Sequence, residues 1–163
     1  MARIDAVGIH FISETFKIEK EIPFKIKPEF QRGILAIDLV PGLEPGILMK
    51  ILRFGGCKGL LLKSLGAGNV PSENEYSLLP VIREAVNVLK IPILVSTKFV
   101  GGQTHMDIYE PGKLALEASA IPTGDMTDVM AQVKFMWILG QGHQSMEGLK
   151  QAINTNFVGE ITV

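Results

Sequence analysis

Residues 59–71 read GLLLKSLGAGNVP, and this stretch decides the fold. Its first half is an almost unbroken apolar run, which is typical of a strand buried on both faces of a parallel sheet. Its second half is a glycine-rich loop that ends at Pro71. A buried strand that runs into a loop and then into an amphipathic segment is the repeating part of a parallel α/β sheet.

The same order recurs on both sides of that stretch. Upstream, the apolar run over 34–40 predicts a second strand buried on both faces, followed by a helix over 45–54. Downstream, a helix over about 77–90, with Ser77 as its cap, leads into a third strand over 91–97. The alternation predicts a three-layer α/β/α, Rossmann-like fold with a small parallel sheet of about four strands. One apolar face of the first helix should be formed by Ile47, Leu48, Ile51 and Leu52.

Three helices are predicted in the last third of the chain. A short one covers 113–118, a longer one capped by Asp125 or Thr127 reaches Leu139, and the last covers about 145–155. The longer helix is apolar nearly all round, and one sheet in a domain this small cannot cover it. We interpret it as a subunit interface, with a central core helix as the alternative; the interface residues are Met130, Val133, Met136 and Trp137.

Residues 1–28 differ from the rest because charges and apolar residues are interleaved there. A partial alternation over 15–20 indicates a strand, and Pro28 ends the region. We expect an extended arm, an edge hairpin or the tail of a missing upstream domain. The α/β domain is then predicted over 29–163.

Composition excludes several classes of protein. Apolar residues make up 47% of the 163 residues, so the chain is neither disordered nor collagen-like. The 16 basic and 17 acidic residues nearly cancel, so there is no direct sign of nucleic-acid binding. No apolar stretch is long enough for a membrane span and no signal peptide is evident, and we therefore expect a soluble, cytoplasmic protein.

Cysteine and histidine give no metal site. Cys57 is the single cysteine, and His10, His105 and His143 fall in unrelated segments, so neither a disulfide nor a metal site is expected. Ser96 ends a strand, but no nucleophile motif surrounds it. No cofactor is expected either.

Sites in parallel α/β sheets form where the strands end, and two loops lie there, over 64–71 and 96–105. Gly66 and Gly68 permit a close backbone approach to a ligand, although spacing alone favours an ordinary turn. A dinucleotide site is disfavoured because Pro71 stands where its third glycine would be.

Several motifs nevertheless resemble one family, the C-terminal domain of type I (cytoplasmic) L-asparaginases, together with the related subunit of the amidotransferase that converts Glu-tRNA(Gln). The resemblance covers about 34–163 and rests on these stretches: TKFVGGQTHMDIYEPGKLALEA (97–118), IPTGDMT (121–127), VKFMWILG (133–140), NFVGEIT (156–162) and the upstream GAGNVP (66–71).

The resemblance implies half of a two-domain amidohydrolase. In this family threonine nucleophiles in the larger N-terminal domain attack the side-chain amide through an acyl-enzyme. The glycine-threonine and Gly-Thr-Asp motifs that carry them are absent from this chain. We therefore expect no catalytic residue here, and the isolated chain should be inactive.

The resemblance also implies roles for residues of this chain. Asn69, with Gly68 beside it, would reach the neighbouring subunit's active site and orient the α-amino and α-carboxylate end of a small amino-acid substrate. Lys63, Thr97 and Lys98 match the neighbourhood of an effector site. A homodimer is implied, and a tetramer is possible within the family. Two alternatives stay open: a fragment of the Glu-tRNA(Gln) amidotransferase subunit, and a non-catalytic amino-acid-sensing or assembly module.

Overall fold

The structure, a computed structural model, describes residues 2–11, 25–142 and 145–162. Within these ranges the strands are β1 (Ala2–Asp5), β2 (Gly8–Phe11), β3 (Ile34–Asp38), β4 (Gly59–Ser64), β5 (Ile93–Thr97) and β6 (Ile121–Pro122). The α-helices of the same ranges are α1 (Pro45–Phe54), α2 (Leu79–Asn87), α3 (Glu110–Glu117), α4 (Asp128–Gly140) and α5 (Met146–Asn154).

The predicted parallel sheet is confirmed. Its strand order is β3-β4-β5-β6, and every neighbouring pair is parallel. Leu60 and Leu62 of β4 pack with α1, α2 and α3 in one hydrophobic cluster, whereas Leu61 and Leu94 pack with α4 and α5 in another. The fold is therefore three layers, because alternate residues of a strand point to opposite faces.

The prediction that strand 34–40 is buried on both faces is wrong. β3 ends at Asp38, and its residues Ile34 to Ile37 are only half-buried. It lies at the edge of the sheet, with β4 as its sheet neighbour. The narrow sheet also limits what α1 buries: Leu48 and Leu52 are buried, but Ile47 and Ile51 are exposed.

Helix boundaries differ from the predictions where caps were misjudged. α2 begins at Leu79 rather than Ser77, and α3 begins at Glu110 rather than Lys113, each with a proline in its first turn. α4 is capped by Thr127, whose Oγ1 accepts a hydrogen bond from Met130 N at 3.2 Å. The choice between Asp125 and Thr127 is thereby settled.

The N-terminal region contains an antiparallel hairpin, in which β1 pairs with β2. The strand expected over 15–20 lies outside the described residues. The boundary between 1–28 and 29–163 remains a prediction. Among the ranges that the structure describes, no helix combines the length and the apolar character needed to cross a membrane.

Candidate functional site

The carboxyl ends of the strands meet at one edge of the sheet. Asp38 of β3 pairs in register with Lys63 of β4, and Lys63 pairs with Ser96 of β5. The loops that follow β4 and β5, which the sequence predicted over 64–71 and 96–105, leave the sheet from this edge. The edge is therefore the first place to look for a site.

The loop that carries Asn69 folds back on itself. Asn69 N donates a hydrogen bond to Leu65 O at 3.1 Å. Gly66 and Gly68 have φ angles of +56° and +104°, a region that side chains rarely adopt. The turn therefore requires both glycines. Asn69, which is half-buried, follows Gly68 at the end of the turn.

A second segment supports this loop from beneath. His105 N donates to Ala67 O at 2.9 Å, and Thr104 N donates to Gly124 O at the same distance. Met106, which follows His105, is 2% exposed and packs against Gly68. A Cβ added at Gly68 would overlap Met106 Cγ. Sequence reasoning missed this contact, because no local pattern around Gly68 or Met106 indicates that the two residues are in contact.

Two cavities flank the loop. One, of about 410 Å³, is lined by apolar side chains from the end of β3 and from the loop: Leu39, Val40, Leu43, Leu65, Pro71, Tyr76 and Leu78. The other, of about 440 Å³, has four polar residues in its lining besides apolar ones: Asn69, Ser72, Glu73 and Asn74. Asn69 thus faces open space that can receive a small polar molecule or part of a partner.

Lys63, a predicted effector-site residue, is already paired. Its Nζ lies 3.1 Å from Asp38 Oδ2 and 3.3 Å from Asp128 Oδ2. The hydrogen bond to Asp38 raises the pKa of Lys63, and the one to Asp128 raises it further, against the opposing effect of burial. Lys63 therefore joins β3, β4 and α4 as a cation.

The other two predicted effector residues are also engaged within the chain. Thr97 Oγ1 accepts a hydrogen bond from Phe99 N at 3.3 Å, and Lys98 Nζ donates to Leu39 O at 3.3 Å. Thr97 and Lys98 line a cavity of about 170 Å³ together with residues 125–128. Lys63 does not line this cavity itself, but its ion-pair partner Asp128 does.

Ser96 does not have the surroundings of a nucleophile. Its side chain is fully buried, and its Oγ has no hydrogen-bond partner among the described residues. Thr123 Oγ1, at the end of β6, is in the same state, and no local sequence pattern marks it. A substrate has no route to either hydroxyl in this arrangement.

The side chains of His105 and Cys57 bring no nucleophilic or metal-binding group to the site. His105 is exposed, and its Nε2 lies 2.7 Å from Gln103 Oε1. Cys57 is half-buried and free. His143 and the His10 side chain lie outside what the structure describes. Within the described ranges, no three side chains of the metal-ligating types come together.

Three of the four predicted interface residues of α4 share one surface groove. Met130, Val133 and Trp137 line an apolar groove of about 190 Å³, which Phe30 and Phe157 complete. Met136 is half-buried outside the lining of that groove.

The chain itself covers part of Trp137. Trp137 Nε1 donates to Lys27 O at 3.1 Å, and the Trp137 ring meets the Phe157 ring edge-on with centroids 5.3 Å apart.

A buried ion pair lies directly under this groove. Lys134 Nζ is 2.7 Å from Glu160 Oε1 and donates to Thr155 O at 2.6 Å. In the sequence, Lys134 is no more than a polar interruption of an apolar helix. Its acidic partner stands in the closing NFVGEIT motif, and only the fold brings the two together.

Comparison with known proteins finds one family that matches most of this chain. The family described as "Glutaminase/Asparaginase C-terminal domain" matches residues 34–153. The L-asparaginase of Thermococcus kodakarensis is 35% identical over 135 residues, which are 83% of this chain and 39% of that protein. A glutamyl-tRNA(Gln) amidotransferase subunit of Methanothermobacter thermautotrophicus is 27% identical over 161 residues, 99% of this chain and 35% of that protein.

Solved structures agree. The thermostable L-asparaginase from Thermococcus kodakarensis superposes with a TM-score of 0.82 at 31% identity, covering 99% of this chain and 47% of that one. L-asparaginase I from Vibrio cholerae has the same fold, with a TM-score of 0.80 at 24% identity over 96% of this chain and 46% of that one. The chain therefore spans less than half the length of these relatives.

Proposed function

Because this chain belongs to the glutaminase/asparaginase C-terminal domain family, we propose that it is the C-terminal domain of an asparaginase-type amidohydrolase. The full-length enzyme would convert L-asparagine into L-aspartate and ammonia. The observation that carries the proposal is the loop over 64–71, which holds Asn69 at the open edge of the sheet, in the lining of a cavity that also includes Ser72, Glu73 and Asn74. The relatives described as L-asparaginases support the choice of substrate.

In this proposal Asn69 binds substrate and does no chemistry. Its side-chain amide offers both a carbonyl acceptor and two N–H donors. It can therefore accept from an α-ammonium group or donate to an α-carboxylate, the two ends of an amino acid that do not react. Gly68 contributes indirectly, because its missing side chain leaves room for Met106 and lets the loop adopt the turn that presents Asn69.

The covalent step belongs to a preceding domain, and this chain alone is proposed to be inactive. Two candidate nucleophiles support this: Ser96 at the end of β5 is buried, and the half-buried Cys57 Sγ lies 3.9 Å from a backbone carbonyl, Ile51 O, rather than beside a base. We also propose a homodimer, in which the sheet edge around Asn69 completes a site together with a second copy of the protein.

Two surfaces are available for self-association. The first is the apolar groove along α4, to which Met130, Val133 and Trp137 contribute, with Met136 beside it. The second is the sheet edge around Asn69, where Phe99 and Val100 are exposed. Exposed aromatic and aliphatic groups of this kind are typical of interface cores. A cytoplasmic location is part of the proposal, and the single unpaired Cys57 is consistent with it.

The test compares the full gene product with the isolated chain. Ammonia release from L-asparagine is measured for both, with Asn69→Ala and, as a matched control, Asn154→Ala on the exposed end of α5. We expect turnover only by the full product, a loss of apparent affinity in Asn69→Ala, and no change in Asn154→Ala. Turnover by residues 1–163 alone, or equal kinetics of Asn69→Ala and the full product, would overturn the proposal.

A second candidate is the role of the asparaginase-like component of a glutamyl-tRNA(Gln) amidotransferase. Several relatives described as glutamyl-tRNA(Gln) amidotransferase subunits align over more of this chain than the Thermococcus kodakarensis sequence does, up to 99% against 83%. The one from Methanosarcina mazei is 33% identical over 93% of this chain and 33% of its own length.

The charge balance disfavours a large nucleic-acid footprint on this domain itself. Ammonia release that requires Glu-tRNA(Gln) and a second protein component would select this role over that of a free asparaginase. The effector function of Lys63, Thr97 and Lys98 stays a prediction. Calorimetry with asparagine, aspartate and glutamine on the isolated chain checks it, and also checks the sensing-module alternative.

A further inference from the structure

The turn that presents Asn69 is shaped by a side chain from outside it. Gly68 is buried and has a φ of +104°. The space that a Cβ would take at Gly68 is occupied by Met106 Cγ, with Met106 Sδ and Thr104 Cβ at 3.5 and 3.6 Å from the same point. The residue before Asn69 thus rests directly on Met106.

The backbone of Met106 is held by a second glycine. Gly112, in the first turn of α3, is buried, and a Cβ there would overlap the backbone of Met106. Met106 therefore lies between two glycines, one in the Asn69 loop and one in α3. Because the Met106 backbone packs on Gly112 and the Met106 side chain packs on Gly68, a shift of α3 is transmitted to the loop through Met106.

Backbone hydrogen bonds fix the same segment. His105 N donates to Ala67 O at 2.9 Å, one residue before Gly68. Thr104 N and Thr104 Oγ1 both donate to Gly124 O, at 2.9 and 3.1 Å. The segment formed by Thr104, His105 and Met106 is thus hydrogen-bonded both to the Asn69 loop and to the segment after β6.

We propose that Met106 is a positioning residue for Asn69, and that it sets how well the substrate's α-amino and α-carboxylate groups are bound. The inference rests on the proposed role of Asn69. A turn with two glycines has many accessible backbone conformations, so its own sequence does not fix the direction of the Asn69 amide. The packing of Met106 under Gly68 supplies that constraint.

The kinetic consequence is specific. Asn69 is proposed to bind groups that do not react, so loosening it should affect substrate binding more than the chemical step. We expect Met106→Ala in the full gene product to raise KM for L-asparagine roughly tenfold, the order of one lost hydrogen bond to a charged group, with a smaller change in kcat. Met106→Leu, which keeps the volume, should stay close to the unchanged protein.

A double-mutant cycle separates positioning from general destabilisation. If Met106 acts through Asn69, then adding Met106→Ala to Asn69→Ala should raise KM little further. Leu149→Ala is the matched control, because Leu149 is 2% exposed like Met106 but lies in α5 on the other face of the sheet. It should lower stability without changing KM. Effects on KM that multiply in the double variant would overturn the proposal.

Hydrogen exchange on residues 1–163 gives a readout that needs no activity. The amides of Asn69 and His105 are bonded within this region, so Met106→Ala should speed their exchange at least roughly tenfold, whereas Leu149→Ala should not do so selectively. Unchanged exchange at both amides would refute positioning by Met106. If the full product releases no ammonia while exchange responds as expected, the proposed function fails and the mechanical part of the inference stands.

Discussion

Lys134 Nζ and Glu160 Oε1 form an ion pair of 2.7 Å in which both side chains are almost fully buried, at 2% and 4% exposure. The pair joins α4 to the C-terminal segment. Lys134 also donates to Thr155 O, and Glu160 accepts from Val158 N at 2.7 Å, so the hydrogen-bonding groups of both charges find partners. Removing one charge would leave the other buried without its counter-ion.

The first prediction concerns that pair. Lys134→Met alone should lower the free energy of unfolding by about 3–5 kcal/mol, because an uncompensated carboxylate remains. Urea denaturation measures it. Arg53→Met is the control, since its partner Glu84 forms an exposed pair that should contribute less than about 1 kcal/mol. If the two variants lose the same free energy of unfolding, the buried pair contributes no more to stability than the exposed one.

The second prediction concerns acid. Burial of the Glu160 carboxylate would raise its pKa, but hydrogen bonds from Lys134 and backbone N–H groups outweigh burial and lower the pKa of Glu160 to about 2, from an ordinary value of 4.5. A depressed folded pKa contributes stability that is full above the unfolded pKa and is lost as pH falls toward the folded one.

The group should therefore contribute roughly 3 kcal/mol above about pH 5, lost progressively toward about pH 2. Unfolding free energies of the unchanged protein and Glu160→Gln across that range measure it. The unchanged protein should lose more stability on acidification. Parallel pH profiles would contradict the assigned shift.

The third prediction concerns Gly68. Gly68→Ala should destabilise the chain more than Gly42→Ala, although both positions have positive φ, at +104° and +86°. An added Cβ at Gly42 meets nothing within 4 Å, whereas at Gly68 it overlaps Met106. The excess, about 1–3 kcal/mol in thermal or urea unfolding, measures the overlap. Similar costs at both glycines would show that Met106 yields freely.

The fourth prediction concerns the start of α4. Thr127→Ala removes the Oγ1 that accepts from Met130 N, and should cost about 1 kcal/mol of stability. Thr127→Ser should restore most of it, because serine caps equally well. A serine variant as unstable as the alanine one would mean that the threonine methyl group, rather than the cap, matters.

Local patterns predicted the fold well and the contacts of the site poorly. The apolar run ending at Lys63 identified β4, and the glycines before Asn69 marked the turn, because those signals lie within a few residues. The burial of β3 was misjudged, since its position at the sheet edge depends on strand order. The packing of Met106 under Gly68 joins distant segments. It follows from the fold and has no local signature.

The partner of Lys134 shows the same limit. A lysine within an apolar helix is compatible with a solvated face, and nothing within α4 indicates that Glu160 will neutralise it. Only the return of the C-terminal segment across α4 brings the charges together. Likewise, the ion pairs of Lys63 with Asp38 and Asp128 could not be read from a resemblance that suggested an effector site.

The most direct test of the account is complementation between subunits. Full-length Asn69→Ala is mixed, under conditions that exchange subunits, with a second variant inactivated in the catalytic domain that is proposed to precede this chain. If Asn69 serves the neighbouring subunit, hybrid dimers contain one intact site, and ammonia release at low asparagine should recover to roughly a quarter of the unmodified level. If the mixture stays no more active than its two components, each site is built within one subunit and the proposed role of this domain is wrong.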